Sequence, residues 1–124
     1  MKKNLLFWAF CFLFIVGASA ASSNVAAQDN DQIAGGYGTA STGARDVRSA
    51  AAFAVRTRSR QTQRNITLVR IQKAEIQIVA GRNYRLCMRV RDNGRLRTVT
   101  AVVYRNLRDR RSLSRWRSGG CSEL

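Results

Sequence analysis

The sequence predicts an α+β fold in which one amphipathic helix packs against an antiparallel sheet. A segment with a helical period comes first, and runs with the alternation typical of strands follow it. An Asn-Gly pair between two of these runs supplies the positive φ angles that a tight hairpin requires. We therefore expect a helix followed by a meander of three or four strands.

Residues 1–20 have the composition of a secretory signal peptide. A basic start at Lys2 and Lys3 precedes an apolar run, and Ala18-Ser19-Ala20 offers a small-residue cleavage site. The run is shorter than the roughly 20 residues of a membrane-spanning helix, which disfavours a membrane anchor as the alternative. We expect a secreted protein with no membrane span, extracellular or, in a bacterial host, periplasmic.

Residues 21–43 are small and polar and show neither a helical nor a strand period. They end in IAGGYGTASTG, and this composition predicts a flexible N-terminal trunk. The remaining residues, 44–124, form the predicted folded domain, which has the usual size of a domain with a single modest core.

The helix is expected to begin at Ala44 and to run for about four turns, with Ser41, Thr42 or Gly43 as its cap. Its apolar residues fall on one side at 100° per residue, and arginines occupy the other side. The apolar side comprises Val47, Ala50, Ala51, Phe53, Ala54 and Val55, with Arg45, Arg48 and Arg56 opposite.

The strands follow in order. In residues 66–78 the alternation of apolar residues changes phase more than once, which predicts a long strand with a bulge. The next run alternates cleanly and ends at the Asn93-Gly94 hairpin, after which residues 95–104 return and SLSRW begins a last strand. One face of the clean run carries Tyr84, Leu86, Met88 and Val90, and the other carries Arg85, Cys87, Arg89 and Arg91.

Composition argues against an enzyme. The chain has no His, the commonest general base, and its 7 acidic residues are scattered among 22 basic ones, which disfavours the raised-pKa carboxyl group that a hydrolase needs. We expect no metal and no cofactor. After removal of the leader, Cys87 and Cys121 remain, and in an oxidising compartment they most simply form one disulfide in a monomer; dimerisation through a free thiol is the alternative.

Several ordered features together resemble the cystatins, reversible inhibitors of papain-like cysteine proteases. The resemblance runs from Ile33 to Trp116. It rests on Gly35-Gly36 ahead of the helix, on AAAFAV inside the helix, on QIVAG at residues 77–81, which matches the family's Gln-x-Val-x-Gly hairpin, and on the NYRL strand start. It implies a cystatin-like fold, with one helix packed against a four- to five-stranded antiparallel sheet.

The resemblance also implies a protease-binding site. In this family the Gln-x-Val-x-Gly hairpin, a later hairpin and the N-terminal trunk form a wedge that enters the protease cleft. Carried over by position, the site comprises Gly35 and Gly36 of the trunk and, in the first hairpin, Gln77, Ile78, Val79, Ala80 and Gly81. Val79 would be the central contact, and Ile33 and Ala34, just before the Gly35-Gly36 pair, would lie along the substrate-side pockets.

The second hairpin departs from the family pattern. Where the family usually has Pro-Trp, this chain has Asn106 and Leu107, and it contains no proline at all. Tryptophan is among the residues most often found as interface hot spots. Its absence predicts weaker inhibition or a different choice of protease.

The strong positive charge supports an alternative function. Arg85, Arg89 and Arg91 form a stripe on one strand face, and further arginines, including Arg110 and Arg111, crowd the end of the chain. Arginine binds phosphate and sulfate bidentately. The alternative is therefore a secreted, host-defence-like protein that binds anionic polysaccharide, lipid or nucleic acid.

Overall fold

The computed structural model describes residues 35–123 of the chain. The predicted signal peptide and the first part of the predicted trunk lie outside the described residues. Within them, no helix combines the length and the apolar character needed to cross a membrane. The elements are, in order, β1 (Tyr37–Ala40), α1 (Arg45–Thr62), β2 (Ile66–Val79), β3 (Gly81–Asp92), β4 (Arg95–Arg105), β5 (Arg111–Ser118) and a 3₁₀ turn (Cys121–Glu123).

The strands form one antiparallel sheet in the order β1-β2-β3-β4-β5, and α1 packs across one of its faces. This arrangement confirms the predicted α+β class and the sheet of four to five strands. The hairpin between β3 and β4 also lies where the sequence predicts it, because Asn93 and Gly94 both have positive φ.

A strand ahead of the helix was not expected. Residues 37–40, which the sequence assigned to the flexible trunk, pair with Ala74 to Gln77 of β2. The pairing satisfies backbone groups, and the Tyr37 ring lies 3.9 Å from the guanidinium carbon of Arg85. The prediction that the helix comes first is therefore wrong. The four residues YGTA are too few and too polar to show a strand period.

The helix begins without the predicted side-chain cap. Ala44 is its N-cap, and its amide N–H donates to the carbonyl of Ser41 at 3.2 Å. In the first turn the Asp46 carboxylate accepts the N–H of Val47 at 2.9 Å, which supplies the acceptor that a capping residue usually provides. The helix is 18 residues long, about five turns instead of four.

The core lies between α1 and the inner face of the sheet. Small side chains at Ala50, Ala51 and Ala54 let the helix approach the sheet closely, and Trp116 covers the core partly from β5. Two register shifts in β2, at Val69 and Gln72, explain the phase changes seen in the sequence and bend the strand over the helix. All four residues predicted to share a face of β3 are buried there: Tyr84, Leu86, Met88 and Val90.

Cys87 and Cys121 form the predicted disulfide. Cys87 lies on the face of β3 opposite the helix, as the alternation indicated, and its side chain is fully buried beneath the returning C-terminal segment. The bond therefore fastens that segment to the outer face of the sheet.

Candidate functional site

One end of the molecule gathers the predicted protease-binding residues that lie in the described part of the chain. This end comprises the start of the described chain, the β2–β3 hairpin and the β4–β5 loop, and we call it the wedge edge. A cleft of about 380 Å³ separates the two hairpins, with Ile78 and Val79 on one side and Asn106 and Leu107 on the other.

A single residue, Ala80, lies between the two strands of the β2–β3 hairpin. Val79 pairs directly with Gly81, and Ala80 alone makes the turn. Gly81 has φ +109°, and a Cβ atom built on it would lie 2.3 Å from the carbonyl oxygen of Arg105. Glycine is therefore required here both for the backbone angle and for the close approach of β4. The Tyr104 hydroxyl donates to the carbonyl of Ala80 and holds the tip against β4.

Gln77 links two parts of the wedge edge. Its amide nitrogen donates to the carbonyl of Gly35 at 2.8 Å, and its amide oxygen accepts from Asn83 at 2.8 Å. One side chain therefore fixes the N-terminal segment relative to the first hairpin. The resemblance places Gln77 in the motif, but the sequence gives no sign of this bridge.

Asn106 organises the β4–β5 loop. Its side-chain oxygen accepts the N–H groups of Arg108 and Arg110, each at 2.9 Å, and its own N–H donates to the carbonyl of Arg110 at 2.9 Å. Leu107 then projects from the tip with 83% of its surface exposed. Asn106, at the position where cystatins usually have proline, therefore stabilises the loop, and Leu107 presents an apolar side chain.

Apolar side chains at the wedge edge are exposed in a group. Ile78 is 37% exposed and Val79 is 40% exposed, and Leu107 faces them across the cleft. Charged residues flank them: Arg82 pairs with Asp46 at 3.5 Å, and Arg105 pairs with Asp109. Hydrogen bonding to Tyr84 and then to Asp109 raises the pKa of Arg105 above its ordinary value. Exposed apolar contact area with a charged rim is typical of a protein-binding surface.

The arginines of the alternative function are divided among three places. Arg85, Arg89 and Arg91 share the outer face of the sheet, as predicted. Arg110 lies in the β4–β5 loop, and Arg111 lies on the helix side, where it donates to the Ser49 hydroxyl at 2.6 Å. The predicted set is therefore not one patch. The outer face gains further basic residues whose register the sequence did not reveal, namely Arg70, Lys73, Arg115 and Arg117.

Solved structures with the same fold include two tick cystatins. The salivary cystatin of the soft tick Ornithodoros moubata is 21% identical, with a TM-score of 0.61, and the match covers 70% of this chain and 99% of that one. Mialostatin, a gut cystatin of the hard tick Ixodes ricinus, is 16% identical, with a TM-score of 0.61 and coverage of 68% and 98%. These likenesses confirm the cystatin-like fold. No curated protein matches the chain by sequence.

A family model describes the sequence itself. The model named SQAPI, aspartic acid proteinase inhibitor, matches residues 40–118, which include α1 and strands β2 to β5. The chain therefore shares its fold with cystatins. The family whose model matches its sequence is named for inhibition of aspartic proteinases, a different class from the cysteine proteases. The chain belongs to the aspartic acid proteinase inhibitor family that the SQAPI model describes.

Proposed function

We propose that the chain is an inhibitor, not an enzyme, and that it blocks papain-like cysteine proteases reversibly by inserting the wedge edge into the active-site cleft. The observation that carries this proposal is the exposed apolar group Ile78, Val79 and Leu107 on two hairpins held at a fixed separation. The QIVAG hairpin supports the choice of protease class, because its letters match the cystatin motif.

The proposed mechanism is occupation of the cleft by preformed loops. Gly81 and Tyr104 hold the first tip, and Asn106 holds the second, so little conformational entropy is lost on binding. Val79 and Leu107 would contact the cleft walls. The β2–β3 tip turns back at Ala80 too sharply to lie extended across the catalytic centre as a substrate does. The tip fills the cleft without presenting a bond for cleavage.

The family description favours a second target, an aspartic proteinase. The replacement of Pro-Trp by Asn106 and Leu107 is also consistent with a changed target. The same wedge edge would bind this proteinase, since it carries the exposed apolar side chains described above.

Inhibition should depend on the apolar character of Val79. We expect Val79→Asp to raise the dissociation constant by about 100-fold or more, because a buried hot spot would become a desolvated charge. Val69→Asp is the matched control, since Val69 is an exposed valine of β2, 49% accessible, in the bulge far from the wedge edge. It should change inhibition less than about threefold, as surface substitutions usually do.

Titrations of papain and of pepsin, with the chain starting at Ala21, measure this effect for both classes. Tight inhibition of papain that Val79→Asp abolishes supports the proposal. Inhibition of pepsin alone, abolished by the same change, assigns the wedge edge to aspartic proteinases. Equal losses in Val69→Asp and Val79→Asp, or no inhibition of either enzyme, would overturn the role of the wedge edge.

A further inference from the structure

A trough runs along the outer face of the sheet, over β4. The outward side chains of β4 at its floor are short, Thr100 and Val102, while Arg85 stands on one side and Arg115 and Arg117 on the other. Directly opposed residues of neighbouring strands share a face, so these arginines point the same way. Since adjacent strands lie about 4.8 Å apart, the trough is roughly 10 Å wide. Its open part encloses about 390 Å³.

The C-terminal segment closes one end of the trough. After β5 the chain turns back over β4 to reach Cys87, and the Gly119 N–H donates to the Thr98 carbonyl at 3.0 Å. Gly119 and Gly120 therefore line the closed end. The other end opens between Tyr37 and Asn83, towards the wedge edge. The outer face thus has a shaped, blind-ended cavity as well as a positive charge.

The positive charge in the trough is only partly compensated. Glu75 pairs with Arg85 and with Lys73, and Tyr37 covers the Arg85 guanidinium, so Arg85 is fixed as one wall. Within residues 35–123, Arg115 has no ion-pair or hydrogen-bond partner, although its guanidinium carries five donors. Its neighbour Arg117 adds a second cation on the same wall.

We infer that this trough binds the anionic groups of an acidic glycan, sulfates or uronic acid carboxylates, separately from any protease bound at the wedge edge. Arginine recognises such planar or tetrahedral oxyanions bidentately, and Thr100, Ser114 and Asn83 offer hydrogen bonds to sugar hydroxyls. The inference does not rest on the proposed protease inhibition.

The lining distinguishes a glycan from other polyanions. Proteins that bind single-stranded nucleic acid stack bases on aromatic rings. The Tyr37 ring at the trough mouth is already covered by Arg85. A membrane surface would require projecting apolar side chains, whereas Val102 lies on the floor. The trough is otherwise lined by hydroxyl and guanidinium groups, which can bind the hydroxyls and the anionic groups of a sulfated or carboxylated sugar.

Calorimetric titration with a heparin-derived tetrasaccharide and with oligogalacturonate, at fixed moderate salt, tests the inference. The variant Arg115→Gln/Arg117→Gln should bind at least about tenfold more weakly, because it loses two guanidinium groups that form charge-assisted hydrogen bonds. The control Arg45→Gln/Arg56→Gln removes the same charge from the exposed face of α1 and should change affinity less than about threefold.

Arg115→Glu alone is a second variant in case loss of Arg117 disturbs the fold, and thermal unfolding checks each protein. Arg115→Glu should abolish tetrasaccharide binding and leave the unfolding temperature unchanged. Equal losses in the trough and helix variants would mean non-specific attraction and overturn the site. A single-stranded oligonucleotide or an anionic lipid vesicle that binds more tightly than both glycans, and loses binding in Arg115→Glu, would overturn the choice of a glycan.

Discussion

At the scale of single residues, polar side chains hold the loops of the wedge edge in place. Gln77 joins Gly35 to Asn83, and Asn106 closes its own loop. The hydrogen bonds of Gln77 fix the N-terminal segment against the first hairpin, and those of Asn106 fix the β4–β5 loop. In the sequence, Gln77 and Asn106 are ordinary polar residues. Their hydrogen-bond partners could be identified only from the tertiary structure.

Among the residues that the structure describes, Gly81 should be the glycine whose replacement costs most stability. We expect Gly81→Ala to lower the free energy of unfolding by about 3 kcal/mol, since positive φ and a backbone clash act together. The control is Gly94→Ala, where φ is +84° and no heavy atom lies within 4 Å of the added Cβ. It should cost about 1–2 kcal/mol, for the backbone angle alone. Urea unfolding measures both, and equal losses would contradict the close approach of β4.

At the scale of elements, the sequence predicted those with a strong local signal. The helix, the alternating β3 and the Asn93-Gly94 turn each have a period or a turn pair that determines them locally. β1 was missed because its four residues are held by pairing with β2, a contact that no local pattern encodes. The QIVAG letters indicated the first hairpin, and the correspondence of Asn106 and Leu107 with the family's Pro-Trp positions indicated the second. The trough could not be predicted, because it depends on the register of β5, which shifts between Val102 and Val103.

The disulfide should stabilise the domain chiefly by restricting the unfolded chain. It closes a loop with a sequence separation of 34 residues, for which the chain-entropy relation gives about 3–4 kcal/mol. Urea unfolding with and without reductant should show this loss. The variant Cys87→Ala/Cys121→Ala is the control, because its stability should not respond to reductant. An unchanged midpoint for the reduced wild-type chain would contradict the expectation.

At the scale of the whole molecule, the two proposed sites lie on different surfaces. The wedge edge occupies one end of the sheet, and the trough lies on the outer face and is closed by the C-terminal segment at its far end. The helix face is separate from both. The chain, with its formal charge of +15, therefore carries the two proposed sites on separate surfaces.

Protease and glycan should bind together. We expect a saturating concentration of the tetrasaccharide to change the inhibition constant for papain, or for the aspartic proteinase if that is the target, by less than about threefold, because the ligands occupy separate surfaces and the coupling free energy is small. Inhibition titrations with and without the glycan measure this. Mutual exclusion of the two ligands would show that the surfaces overlap. The variant Arg115→Glu should inhibit equally well in both titrations.

The arginines of β5 have a further consequence for solubility. As the last strand of the sheet, β5 presents along its free side backbone groups that could extend the ladder into another copy of the chain. Arg111, Arg115 and Arg117 place repeated positive charge on this strand. Two copies that approached through β5 would bring these like charges together. The strand therefore resists aggregation by the charges it carries, although its backbone is open to pairing.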